Sequence, residues 1–329
     1  MWASALVAVC GIAIVAWLAR QTPTTANVPP DKVVIAGLAA PGAGLFFVAQ
    51  EQGYFRQQGL DVELQLHLTG KLALDALLGG KADLAIAGDV PFIFATLANR
   101  QLDILSNVDK PDGGIAIIAF KSRVPTPGDL KGKRLGVTFV SAGQFFADTF
   151  LLVNGVPQSE VSVVNVPPEE IAAALIDGKI DAACMWQPYL EDTKTLLGDR
   201  GVVFPSKGLY TFRLNLVANR GYAIEYPHRV RKVLSALLEA QRYTVENPTL
   251  ALEIISRSAG IEVATFKQFF DPAEYDLGLE QALLLALDDQ TRWAIKNGFV
   301  KADKMPNYLN YIQADGLGSV SPELIKIIR

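Results

Sequence analysis

Two stretches far apart in the chain follow one plan, and that plan limits what the chain can fold into. The first reads Ala76-Leu77-Leu78-Gly79-Gly80-Lys81-Ala82-Asp83-Leu84-Ala85 and runs on to Gly88-Asp89-Val90-Pro91. The second reads Ala174-Leu175-Ile176-Asp177-Gly178-Lys179-Ile180-Asp181-Ala182-Ala183 and runs on to Trp186-Gln187-Pro188-Tyr189. Each is a helix end, a Gly-Lys turn, an Asp, a short apolar strand and a turn with Pro. A helix that stops at Gly and feeds a buried strand is an αβ unit of a parallel sheet. Two such units predict two α/β lobes built alike. Ligands of open α/β sheets sit outside the carboxyl ends of the strands. Gly88-Asp89 and Trp186-Gln187 are therefore expected as two half-sites facing one cleft. The repeat by itself is equally consistent with common αβ-turn chemistry, so the rest of the chain has to decide.

A chain of 329 residues, 50% hydrophobic and 19% charged, is long enough for two such lobes. Its net charge of −4 and pI near 5.4 give no basic footprint, which excludes nucleic acid as the expected partner. Two cysteines, Cys10 and Cys184, build neither a disulfide framework nor a zinc pattern. Two histidines, His67 and His228, support neither a metal site nor a Ser-His-Asp triad. No catalytic residue, metal ligand or cofactor is expected.

Residues 2–18 are apolar and uncharged, and Arg20 and a polar, Pro-containing spacer to residue 30 follow. About seventeen apolar residues is the lower limit for a membrane-spanning helix. No Lys or Arg precedes the run, and Trp17 and Leu18 stand where a cleavage site wants small residues. Two readings stay open for residues 1–30. One is an uncleaved inner-membrane anchor through residues 2–18 with a tether; the other is an export signal whose basic start is missing.

The pattern from Lys32 onward alternates strands and helices. A strand over 33–36 leads into a Gly/Ala/Pro loop and a helix stopped by Gly53. A strand over 61–68 and a helix over 69–78 lead to the first repeat strand. Pro91 suits the first turn of the next helix, which makes Asp89 its N-cap or a direct ligand contact. Strands are expected over 104–108, 115–120 and 135–138. Ser141-Ala142-Gly143-Gln144 then opens a helix. Small residues there expose backbone N–H groups to an anion or carbonyl oxygen, or Ser141 is a plain cap. From Pro227 the chain reads as mostly helical, with a Phe-rich piece near 266–270.

Three further segments carry a resemblance. Ala49-Gln50-Glu51-Gln52-Gly53-Tyr54-Phe55 with Gly59-Leu60-Asp61-Val62-Glu63 resembles the opening of periplasmic solute-binding proteins of the nitrate/sulfonate/taurine type. That group also holds binders of thiamine-precursor pyrimidines and related enzymes. Asp129-Leu130-Lys131-Gly132-Lys133-Arg134-Leu135-Gly136-Val137 is similar to the group's entry into its second lobe, and Trp186-Gln187-Pro188-Tyr189 to its Trp-x-Pro-Tyr stretch. The resemblance implies a two-lobe periplasmic-binding-protein fold of type II: two α/β sheets joined by a hinge, with a helical C-terminus. It divides the chain into 31–118 and 216–329 for one lobe and 119–215 for the other.

The resemblance also implies a function: an extracytoplasmic solute-binding component of an ABC importer, monomeric, delivering a small organic anion to an inner-membrane permease. Family positions for the ligand fall on Ala40 and Gly42, on Gly88 and Asp89, on Ser141, Gly143 and Gln144, and on Trp186 and Gln187. Trp186 would supply a flat apolar wall, and the two glutamines hydrogen bonds. Arg213 is a candidate charge partner for a sulfonate or a surface residue. If Asp89 points into the cleft, an amine-bearing ligand gains. A pyrimidine binder, a membrane-tethered sensor and a pyrimidine-forming enzyme are the other readings; the last lacks a His near the cleft loops.

Overall fold

The strands of the repeat become the middle strands of two five-stranded sheets. The structure is a computed structural model that describes residues 29–301 and 304–328. The apolar stretch 2–18, with its expected role as signal or anchor, lies outside the described residues, as does Cys10. Among the described residues no helix is long and apolar enough to cross a membrane.

The first sheet takes β1 (Asp31–Leu38), β2 (Leu60–His67), β3 (Leu84–Gly88) and β4 (Leu102–Asp109). The second takes β5 (Ile115–Phe120), β6 (Arg134–Val137), β7 (Ser162–Asn165), β8 (Ala182–Trp186) and β9 (Gly201–Pro205), and β10 (Leu214–Asn219) returns to the first. The orders are β2-β1-β3-β10-β4 and β7-β6-β8-β5-β9. They correspond position by position. Four strands in each run in one direction, and the fourth place is filled by an antiparallel strand delivered from the other half, β10 in one sheet and β5 in the other. The chain therefore crosses between sheets twice, over 110–114 and 206–213.

Helices α1 (Gly44–Glu51), α2 (Tyr54–Gln57), α3 (Gly70–Leu78) and α4 (Asp89–Leu97) link the first strands. In the second half come α5 (Ala142–Val153), α6 (Ile171–Ile176) and α7 (Tyr189–Leu197). After β10, α8 (Arg220–Glu225), α9 (Pro227–Glu246), α10 (Pro248–Ala259), α11 (Val263–Phe266), α12 (Gln281–Lys296) and α13 (Asp315–Val320) make the helical C-terminal part. Their buried residues join the core of the first sheet. Phe46, Phe55, Phe92 and Phe266 are fully buried there, each worth about 1.5–3 kcal/mol of apolar burial.

The repeat has a physical cause. In both copies a lysine N–H reaches back to the helix, Lys81 to the Ala76 carbonyl and Lys179 to that of Ala174, each at 2.9 Å. The residue before it, Gly80 (φ 69°) or Gly178 (φ 70°), is left-handed, a helix ending that favours glycine. The Asp of each copy then clips the next strand to its neighbour. The Asp83 N–H donates to the Val34 carbonyl at 2.8 Å, and its Oδ2 accepts from the Val34 N–H at 2.8 Å. Asp181 does the same with Arg134, at 2.8 and 3.0 Å, and also accepts from its guanidinium. The strand each clip starts is apolar and buried, except that Trp186 at the end of β8 is half-exposed.

Helix α5 belongs to both halves. Phe146 packs in the second sheet's core, while Phe145 joins the first. The Phe145 ring lies 5.3 Å from Trp293 on α12 and 5.2 Å from Tyr210 on the second crossing, edge to face. One turn on, Asp148 Oδ2 accepts from the Trp293 indole N–H at 2.7 Å.

Candidate functional site

The carboxyl ends of both sheets open on one cavity of about 720 Å³. The first half contributes Ala40, Gly42 and Gly88, and the second Ser141, Trp186 and Gln187. All six are among the residues expected from sequence. Gly42 is there because nothing larger fits: a Cβ would stand 2.2 Å from Leu214 Cδ1 and 3.2 Å from Asp109 Oδ2. At Gly88 a Cβ would come within 3.4 Å of the Phe212 ring, which also faces the cavity.

Several helices start at this cavity. Thr69 caps α3, its Oγ1 accepting from the Leu72 N–H at 3.2 Å, and Thr69 and Gly70 both line the space. Gly88 precedes α4, Ser141 caps α5, and Gln187 precedes α7, where its Oε1 accepts from the Glu191 N–H at 3.2 Å. Helix N-termini carry unsatisfied N–H groups and partial positive charge. That matters here because, among the described residues, Lys71 is the one basic side chain on the lining, and it is exposed and paired with Asp75 at 2.6 Å.

The turn into α5 is strained. Val140, on the cavity wall, has φ 54°, a left-handed conformation that a β-branched residue rarely adopts. Its N–H donates to Gln144 Oε1 at 2.8 Å, and Ser141 Oγ donates to the Thr138 carbonyl at 2.6 Å. Gln144, expected to meet the ligand, is instead 6% exposed, off the lining, and holds this turn in place. Gly143 is also off the lining. A Cβ on it would stand 3.4 Å from Trp186 Cζ3, so glycine lets the indole lie against the first turn of α5.

Asp89 and Arg213 do not reach the cavity either. Asp89 is the first residue of α4, with Gly88 at the cap position. Its carboxylate is 1% exposed and turned into the core, where Oδ1 accepts from Asn215 Nδ2 at 2.6 Å and Oδ2 from Gln290 Nε2 at 3.5 Å. Burial pushes its pKa up to about 6, against the opposing charge of Arg213 and these two hydrogen bonds. Arg213 is 9% exposed, and its Nη1 donates to the Thr211 carbonyl at 3.3 Å. Asn215, Arg213 and Tyr210 make a buried polar group beneath the cleft, not part of its wall.

Other lining residues were not singled out from sequence. Phe269, Phe270 and Tyr275 face the cavity from the segment after α11, and the Tyr275 hydroxyl donates to the Pro41 carbonyl at 3.1 Å. Five acidic residues also line it: Asp109 at the end of β4, Asp112, Glu169, Asp271 and Glu274. Asp109 is 6% exposed; burial, then the charge of Glu274, hold its pKa well above the carboxylate range. Burial raises that of Glu274 to about 7, although its Oε1 accepts from the Asp112 N–H at 2.8 Å. Position at the carboxyl edge was a usable signal for Asp109, since a strand was expected to end one residue before it.

Among the described residues no group of three or more His, Cys, Asp or Glu is placed to hold a metal ion. Cys184 is fully buried, with its thiol donating to the Gly143 carbonyl at 3.1 Å and its pKa pushed up by burial.

Comparison with known proteins adds four findings. A family described as NMT1/THI5 like matches residues 41–251. A binding protein of Brucella abortus (strain 2308) is 25% identical over 232 residues, 69% of this chain and 70% of that one. The taurine-binding periplasmic protein of Escherichia coli (strain K12) is 26% identical over 211 residues, 63% of this chain and 65% of that one. Among solved structures, the alkanesulfonate-binding protein SsuA from Xanthomonas axonopodis pv. citri bound to MOPS shares the fold with a TM-score of 0.75. The match has 20% identity and covers 87% of this chain and 99% of that one.

Proposed function

This chain belongs to the NMT1/THI5-like family, and from that premise we propose that it is the extracytoplasmic solute-binding component of an ABC importer. It captures a small organic anion between two lobes and passes it to a permease in the inner membrane. The observation that carries this reading is the convergence of both sheets' carboxyl ends, and of the starts of α3, α4, α5 and α7, on one cavity walled by Trp186. Backbone N–H groups at those helix starts are donors for a sulfonate or carboxylate, and the dipoles supply positive potential where cationic side chains are sparse. The similarity to a taurine-binding and an alkanesulfonate-binding protein supports the same ligand class.

The expected lobes, 31–118 with 216–329 and 119–215, cut through β5 and β10, so the lobes of this reading divide instead at the crossing segments 110–114 and 206–213 and close about them. Ala40, Gly42, Gly88, Ser141, Trp186 and Gln187 touch the ligand. Gly143 and Gln144 position Trp186 and the Val140 turn, and Asp89 with Arg213 braces the floor. Capture involves no bond-making step, and the protein acts as a monomer.

The test is thermal unfolding and tryptophan emission of the purified chain over taurine, alkanesulfonates, arylsulfonates and nitrate. Ligand at a hundred times its dissociation constant adds about 2.7 kcal/mol of stability. An unshifted midpoint across the whole panel removes this ligand class.

A further inference from the structure

One wall of the cavity does not suit an anion. Asp109 lines it, is all but fully buried, and meets no cationic side chain among the described residues; the backbone of Lys110 is placed to hydrogen-bond to it. The adjacent cation does not neutralise it: Lys110 Nζ is drawn away to Asp276 at 2.6 Å and Glu280 at 3.3 Å. Glu274 faces the same space from the segment beyond α11, with Asp112 and Asp271 also on the lining. The chain makes room for Asp109, because Gly42 is the residue whose missing Cβ leaves Oδ2 its place.

A buried carboxyl with no cation beside it is expensive to keep. Either it takes up a proton or an incoming cation completes it. An ammonium donates to carboxylates with charge-assisted hydrogen bonds, which are roughly twice as strong as neutral ones. Phe212, Phe269, Phe270 and Trp186 line the same cavity. Their faces suit a flat ring, and they attract a cation held over it. A cavity of about 720 Å³ is also drug-sized, which matches a ring-bearing ligand.

We infer that the ligand is a ring-bearing zwitterion whose ammonium group is received by Asp109 and Glu274 while its anionic group faces the helix starts. This rests on the solute-capture reading and narrows it. It also separates the roles of two acids. Asp89, the residue that sequence offered for an amine, is sealed in the core, and Asp109 holds the position in the cavity.

Calorimetric titration of the full chain with three probes tests it: para-aminomethylbenzenesulfonate, para-toluenesulfonate and benzylamine. The aminomethyl compound is expected to bind at least about tenfold more tightly than toluenesulfonate, a difference of about 1.4 kcal/mol. Asp109→Asn, which keeps the shape, brings the two within about threefold of each other, and Glu274→Gln narrows the gap part-way. Equal binding of the two sulfonates to the unmodified chain, or a gap untouched by both substitutions, overturns the inference and leaves the anion reading standing. Benzylamine binding as tightly as the aminomethylsulfonate, with loss in Asp109→Asn, keeps the carboxyl assignment and removes the anion reading. Should Asp109→Asn not fold, as judged by circular dichroism, the wild-type ratio together with Glu274→Gln decides.

Discussion

The β3–α4 unit and the β8–α7 unit share a helix ending, an Asp clip and a buried strand, yet they end in opposite ways. Asp89 turns down into the core, and Trp186 stands at the cavity. The neighbouring strand accounts for the difference. Beside β3 runs β10, which sets Asn215 opposite Ala87, close enough to donate to Asp89. In the equivalent place beside β8, β5 sets Ala116 opposite Met185, an apolar partner, and Gln187, the counterpart of Asp89, joins Trp186 on the cavity lining. The indole stays at the edge, backed by Gly143. A repeat in sequence thus repeats the backbone, while the strand received from the other half decides what each tip does.

Substitutions at the two tips test this contrast most strongly. Trp186→Ala removes an aromatic wall and is expected to weaken ligand binding by about 2–3 kcal/mol, read by calorimetry, with stability of the unliganded chain changed by less than about 1 kcal/mol. Asp89→Asn is expected to do the reverse, moving stability and leaving affinity nearly alone. The raised pKa of Asp89 means the folded chain keeps a proton that the unfolded chain has released between about pH 4 and 6. Stability is therefore lost as pH rises through that window, and the penalty is complete above it. Asp89→Asn removes the penalty, adding about 3 kcal/mol at pH 7.5 and nothing near pH 3.5, as measured by urea unfolding at each pH. An affinity loss in Asp89→Asn equal to that of Trp186→Ala breaks the comparison.

Smaller effects sharpen it. Val140→Gly relieves a left-handed β-branched residue and is expected to raise stability by about 1 kcal/mol while loosening the turn that presents Ser141. Its thermal midpoint should rise as affinity falls. Asp83→Ala loses one clip for about 1 kcal/mol, and Asp181→Ala less, because its Arg134 partner sits in solvent. Gly80→Ala and Gly178→Ala should each cost about 0.5–1 kcal/mol, and nearly the same as each other, since both glycines have the same φ and open space or ordinary contact where a Cβ would go.

Local punctuation made the two sheets legible. Gly80, Gly178, Asp83 and Asp181 act within a few residues or on the adjacent strand, so a reading along the chain finds them. The cavity loops at Ala40, Gly42, Gly88, Ser141, Trp186 and Gln187 follow from strand ends and from the family resemblance. Side-chain direction did not follow. Where Asp89 points depends on Asn215 and Gln290, 126 and 201 positions away. Gln144 turned out to serve the Val140 N–H, a task visible only once φ at that residue is known. The exposure of Asp109 to the cavity likewise depends on Asp276 and Glu280 drawing Lys110 aside.

Helix α5 gives the protein two separable optical reporters. Its first turn borders the cavity beside Trp186, while Phe145 and Asp148 hold Trp293 where the two halves meet. Quenching of Trp186 registers occupancy. Emission of Trp293 registers whether that contact stays dry and hydrogen-bonded. In a chain keeping only Trp293, with Phe at the other three tryptophan positions, a colour change on adding ligand would be the sound of the hinge itself, heard without the binding event.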